Sequence, residues 1–327
     1  MSVNLIKLFF LTVLSCLFLL SGKVSAQPSP EVFKKLLHSN SNQVLEAACL
    51  KAPKFQYVFV TGIFNELMPY YFKDQIEWLT RCQVPSSQIR LARPYSGTGL
   101  TRSSVGLKEL FQEMLSSHPT KPLMIIGHSK GAPEALLASL QSPQSIQQKI
   151  ATIVCIQGSF GGSPIADLAL GDDSATSSPN YRLVARIARR LTSWLNRVER
   201  FYGKSVRDGV DSIKTKEARA FWTQFINDSQ NENILTENKV LVLQTYKHYR
   251  RLNPFFFLSG QYLNAITGEQ TDGAIPLSSQ RPPIPGIRPT VLELDHLDTV
   301  LPKQFSFSSP LIRYQIMSAI ISAQNAH

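Results

Sequence analysis

Gly127-His128-Ser129-Lys130-Gly131 joins an apolar run, Leu123-Met124-Ile125-Ile126, to a segment with Ala132, Ala135, Leu136 and Leu140 at helical spacing. The run suits a buried parallel strand. Strand, sharp turn and helix is the setting in which G-x-S-x-G carries meaning. Such a turn holds the serine in a strained conformation with its hydroxyl presented to one side. A side chain two residues before or after it would clash, which accounts for both glycines. The bare pattern arises by chance in about one chain in ten of this length. Its flanks set it apart.

The rest of the chain alternates strand and helix, which predicts a parallel sheet covered on both faces. Strands are expected over Gln56–Thr61, Gln88–Ala92, Lys121–Gly127, Ile150–Ile156, Lys239–Thr245 and Pro289–Leu294. Helices are expected over 30–48, Pro69–Cys82, 101–117 and Phe305–Ala323. The alternation breaks between about Ser163 and Asn238. There Tyr181–Tyr202 reads as an amphipathic helix, with Val184, Ile187, Leu191, Trp194, Leu195, Val198 and Phe201 on one stripe and arginines mostly off it. Packing on the core and covering a site as a lid both explain such a helix, and a basic amphipathic helix also suits a lipid surface.

The first 26 residues read as a secretory signal peptide. Lys7 precedes the apolar run Leu8–Leu20, and Ser21 to Ala26 supplies small residues for cleavage after Ala26. The run is too short for the roughly 20 residues a membrane span needs. Cys16 is followed by further apolar sequence, against a lipidation site. A secreted or periplasmic domain over 27–327, with a cap insertion over about 163–238, is the expected organisation. Loss of Lys7 and Lys23 takes the formal charge from +11 to +9. That excess suits contact with an anionic lipid surface. No zinc-finger spacing, Walker A loop or basic-aromatic repeat points to nucleic acid, and the basic stretch Tyr246–Arg251 reads as a solvated loop. An oxidising compartment permits a disulfide, and Cys49 and Cys82 flank the first strand-helix unit. Cys155 lies in an apolar strand and reads as a buried thiol.

A serine hydroxyl needs a base to take its proton, and the base needs a third group to fix its tautomer. On a sheet of this kind the partners follow in the order serine, acid, histidine. His128 adjoins the serine and points away from it, His248 sits in the basic loop and His327 is terminal. His296, in Leu294-Asp295-His296-Leu297-Asp298, follows the last strand and is the expected base. Asp272, in the turn Thr271-Asp272-Gly273, is the expected acid. Asp298 is its closest competitor, and Asp295 is too near His296 in sequence for an easy bridge. Backbone N–H groups of Lys130 and Ile63, with Phe64 the alternate, are the expected oxyanion donors.

These segments resemble the α/β-hydrolase superfamily and, within it, bacterial lipases and esterases. Val58-Phe59-Val60-Thr61-Gly62-Ile63-Phe64 is similar to the lipase oxyanion strand, with Thr61 where a histidine is usual. Gln157 to Asp167 is similar to the stretch after the next strand, ending Gly-Ser-x-x-Ala-Asp. Asp272-Gly273 and His296-Leu297-Asp298-x-Val300 match the acid and base loops. The resemblance implies a carboxylic ester hydrolase with an acyl-enzyme intermediate, with lipids as the expected substrates. A thioesterase or polyester depolymerase would use the same residues, and a non-catalytic binding protein would keep only the fold. The resemblance also makes Asp298 a calcium candidate. The second acidic ligand it would need is missing from Gln244–Arg251, so no cofactor is expected.

Overall fold

The computed structural model describes residues 33, 35–37, 42–171, 190, 192–193, 195–200, 203–227, 239–306 and 308–324. Six strands form one sheet: β1 (Gln56–Val60), β2 (Ile89–Ala92), β3 (Leu123–His128), β4 (Ile150–Ile156), β5 (Val240–Tyr246) and β6 (Thr290–Glu293). Their order is β2-β1-β3-β4-β5-β6, and every pairing is parallel. These are the six stretches expected from the sequence, to within a few residues at the ends.

Parallel strands covered on both faces need apolar side chains pointing both ways. In β1, Tyr57 and Phe59 enter one core with Met124, Ile126, Val154 and Ile156. Val58 and Val60 enter the other with Leu123, Ile125, Ile153 and Cys155. On the first face lie α1 (Asn42–Lys51), α2 (Lys73–Arg81) and the C-terminal helix Pro310–Ser322, which delivers Ile316, Met317, Ile320 and Ile321. On the second lie α3 (Leu100–Ser117) and α4 (Gly131–Leu140). Cys49 of α1 is bonded to Cys82 at the end of α2, and Cys155 is a buried free thiol.

Two helices start later than the sequence suggested, and each has a local cause. Phe72 takes a left-handed conformation, φ 56°, so α2 begins at Lys73 and not near Pro69. The C-terminal helix begins at Pro310, where Ser309 accepts a hydrogen bond from the Leu311 N–H and proline sits in the first turn. The interval 163–238 contributes the helices α5 (Pro164–Ala169), α6 (Arg207–Asp211) and α7 (Thr215–Asn227). The signal segment 1–26 and most of the expected helix Tyr181–Tyr202 fall outside the described residues. Of its stripe, Leu195 and Val198 are described, and both are buried against Ala166, Val206 and Val210.

The strand order locates a crevice. β2 lies on one side of β1 and β3 on the other, so the winding reverses between β1 and β3. In open parallel sheets such a reversal, at the carboxyl ends of the strands, is where ligands bind. Ile63 leaves β1 there, and Ser129 leaves β3.

Candidate active site

Ser129 is the first residue after β3 and has φ 55°. A non-glycine residue in this region is uncommon and strained, and it persists only where its surroundings hold it. Here its N–H donates to Ile156 O at 3.0 Å, and its carbonyl accepts from Ala132 and Ser159. The glycines on either side are required by space. A Cβ on Gly127 would lie 2.6 Å from Ala132 Cα, and one on Gly131 would collide with the carbonyls of Val60 and Thr61.

His296 and Asp272 meet as the chain order suggested. Asp272 Oδ2 is 2.7 Å from His296 Nδ1, and the His296 N–H donates to Asp272 O at 2.9 Å. Asp272 Oδ1 accepts from the N–H groups of Ala274 and Ile275 at 2.9 and 2.8 Å. The Asp-Gly turn thus folds its own backbone donors around the buried carboxylate, fixing it without exposing it. Phe256 packs edge-to-face against His296, with ring centroids 5.9 Å apart.

Ser129 and His296 open onto one cavity of about 460 Å³. Its walls are mostly apolar, with Ile63 and Phe64 from the β1 loop, Ala166 from α5, and Leu195, Ile213 and Phe255 around them. Arg190 is a charged residue of its lining. The Phe64 N–H donates to Ser96 Oγ at 2.7 Å, so that alternate oxyanion donor is already engaged. Lys130 is buried and pairs with the buried Glu134 one helical turn on. Burial pushes the Glu134 carboxyl up, and the Lys130 charge opposes this.

The basic loop after β5 departs from its expected solvated role at Lys247. Its ammonium lies 2.9 Å from Asp298 Oδ2 and 3.7 Å from Asp295 Oδ2, and both carboxylates are fully buried. Asp298 Oδ2 also accepts from the Asp295 N–H, and Oδ1 from the Ser308 N–H. Asp298 therefore faces an ammonium and two amides, a donor set that does not fit a calcium ligand. Neither Asp295 nor Asp298 is the hydrogen-bond partner of the His296 ring; that partner is Asp272. Burial, then Asp298, pushes the Asp295 carboxyl up, and Lys247 pulls it back. Arg250 and Arg251 do stay near solvent, Arg251 pairing with Glu293.

Sequence reasoning missed the contacts that three buried residues make beneath the site. Tyr71 Oη is 2.6 Å from His128 Nδ1. His128 Nε2 is 2.9 Å from both Gln157 Oε1 and His296 O. Gln157 Nε2 reaches Asp272 Oδ2 at 3.2 Å and Asp295 O at 3.0 Å. His128 does turn away from the serine, and it turns into this cluster. Gln157 also has a left-handed backbone, φ 50°. Nothing in the pattern of apolar positions marks such contacts.

No family model matches the chain, and no curated protein matches it in sequence. Solved structures do. The mature form of the Bacillus licheniformis lipase BlEst2 superposes with a TM-score of 0.51 at 18% identity, over 75% of this chain and 85% of that one. The metagenomic carboxyl esterase MGS0156 superposes with a TM-score of 0.57 at 18% identity, over 82% of this chain and 74% of that one. The chain has the α/β-hydrolase fold.

Proposed function

We propose that this protein is a serine hydrolase that cleaves carboxylic esters with an apolar acyl chain. One observation carries the reading: the strained Ser129 shares an apolar cavity with His296, whose far nitrogen is bonded to the buried Asp272. In this reading His296 Nε2 takes the Ser129 proton as Oγ attacks the ester carbonyl. Asp272 holds the proton on Nδ1 and stabilises the imidazolium that forms. The backbone N–H groups of Ile63 and Lys130 receive the negative charge on the carbonyl oxygen. Collapse expels the alcohol, protonated by His296, and leaves the acyl group on Ser129. Water, deprotonated by His296, then releases the acid.

The apolar walls favour an acyl chain over a polar or charged one. Likeness in fold to a lipase and a carboxyl esterase supports the same chemistry. Asp298 is not assigned a calcium here, because the cation beside it is Lys247. Millimolar EDTA should leave activity unchanged. The signal segment and the Cys49–Cys82 bond together support export to an oxidising compartment. Transient contact with an anionic lipid surface, favoured by the basic net charge, belongs to the same proposal. Hydrolysis of p-nitrophenyl esters of increasing chain length, with and without an emulsion interface, tests the reading. Activity should be seen on short soluble esters and rise with chain length. Absence of turnover on every ester would remove it in favour of a binding protein.

A further inference from the structure

The three buried residues beneath the site form a chain whose hydrogen-bond direction is fixed by chemistry. Carbonyl oxygens only accept, so His128 Nε2, 2.9 Å from His296 O, must carry the proton. Nδ1 is then bare, and the Tyr71 hydroxyl donates to it at 2.6 Å. Tyr71 Oη in turn accepts the Gly62 N–H at 3.0 Å. At the other end, Asp295 O and Asp272 Oδ2 are acceptors, so the amide nitrogen of Gln157 faces them. Its oxygen faces His128 Nε2 and the Thr299 hydroxyl. Donors therefore run in one direction from Gly62 through Tyr71, His128 and Gln157 to the Asp272 carboxylate, with His296 O sharing the His128 proton and Thr245 Oγ1 and Asp295 O sharing the Gln157 amide.

The two ends are the two parts of the site that must be held in register. Gly62 adjoins Ile63, a proposed oxyanion donor, and a Cβ on Gly62 would lie 2.7 Å from Tyr71 Oη and 2.8 Å from Ser129 Cβ. Asp272 holds the base. Resting on the hydrolase reading, we infer that Tyr71, His128 and Gln157 are positioning residues that couple the oxyanion loop to the acid–base pair through one buried, unidirectional relay. Aligned hydrogen bonds in a low-dielectric interior polarise one another, so a change at one end is felt at the other. Burial favours this state. It holds the Tyr71 phenol protonated and keeps His128 neutral. The other ionisable groups around the relay are Asp295, Asp298, Lys247 and, near Tyr71, Arg93.

Tyr71→Phe, Gln157→Leu and the double variant test it in the full chain. Each single variant should lower kcat about 10-fold with KM for a short ester changed less than about twofold. The double variant should lose little more than either single one, since both cut the same unit; independent effects would multiply to about 100-fold. If Gln157→Leu does not fold, Tyr71→Phe with His128→Asn closes the same cycle. The second readout is the NMR resonance of the His296 Nδ1 proton, observed with ¹⁵N-histidine labelling. It should move in Tyr71→Phe, although the Tyr71 hydroxyl bonds to neither His296 nor Asp272. Multiplying kcat losses, or an unmoved resonance in Tyr71→Phe, overturns the relay. The resonance reports geometry and not turnover. A protein without esterase activity that still shows the shift keeps the relay and loses the hydrolase reading.

Discussion

Replacing Lys247 by methionine removes the charge that two fully buried carboxylates share. At an effective dielectric constant of about 20, the contact at 2.9 Å to Asp298 is worth about 6 kcal/mol and that at 3.7 Å to Asp295 about 4 kcal/mol. Much of this offsets the cost of desolvating the three groups. What the variant exposes is the remainder, an uncompensated buried charge pair, which costs about 3–5 kcal/mol when one partner is deleted. Lys247 keeps a little exposure, so about 3 kcal/mol is expected. Protonating Asp295 relieves the strain. Its carboxyl is already raised by burial and by Asp298, and losing Lys247 raises it further. A carboxyl whose folded pKa exceeds its unfolded value, near 3.9, binds a proton preferentially in the folded state. The deficit should therefore be full at about pH 8 and shrink as pH falls through the raised pKa. Urea denaturation of wild type and Lys247→Met at about pH 8 and about pH 5 measures this, the shift in midpoint giving the deficit. Asp295→Asn in the Lys247→Met background should recover part of the loss at the higher pH. A deficit below about 1 kcal/mol there, or one that grows as pH falls, would show that Lys247 does not hold this pair.

Three further outcomes are expected of the site. Asp272→Asn should lower kcat by about 10⁴ through loss of tautomer control, whereas Asp298→Asn should act mainly on stability; the reverse pattern, read by steady-state kinetics on the folded variants, would move the acid to Asp298. Ala166→Phe should fill part of the cavity, lowering kcat/KM for a twelve-carbon acyl ester about 10-fold or more relative to a four-carbon one; equal losses on both would place the acyl chain elsewhere. His128 is buried and neutral, with its folded pKa below its unfolded value near 6.5, so it contributes stability above about pH 6.5 that is lost as pH falls toward the folded pKa. The wild-type minus His128→Asn difference in unfolding free energy should accordingly fall by about 1.4 kcal/mol per pH unit below that point, and a flat difference curve from about pH 7 to about pH 5 would contradict it.

The sheet was legible because its signals are local. Runs such as Leu123–Ile126 and Ile150–Ile156 are apolar over their length, as strands buried on both faces must be. The meeting of Asp272 with His296, in a cavity shared with Ser129, was legible because elbow, turn and last-strand loop each carry their own punctuation in a fixed order. The polar support was not. Tyr71, His128 and Gln157 come from three separated segments and have no shared spacing. Lys247 looked like one basic residue among several, and only its position opposite Asp295 and Asp298 separates it from Arg250 and Arg251. The start of α2 depended on a left-handed phenylalanine, a conformation that sequence disfavours and packing imposes.

The proposed chemistry stands or falls on Ser129 being an activated nucleophile. A fluorophosphonate probe incubated with the full chain, followed by peptide mass mapping, reads this without reference to any substrate. Stoichiometric labelling on Ser129 is the expected result. Labelling should be absent in a folded Ser129→Ala protein and slowed by about 10³-fold or more in His296→Ala, because the proton then has no acceptor. An unlabelled wild-type protein, or a label carried equally well by folded Ser129→Ala, would contradict it.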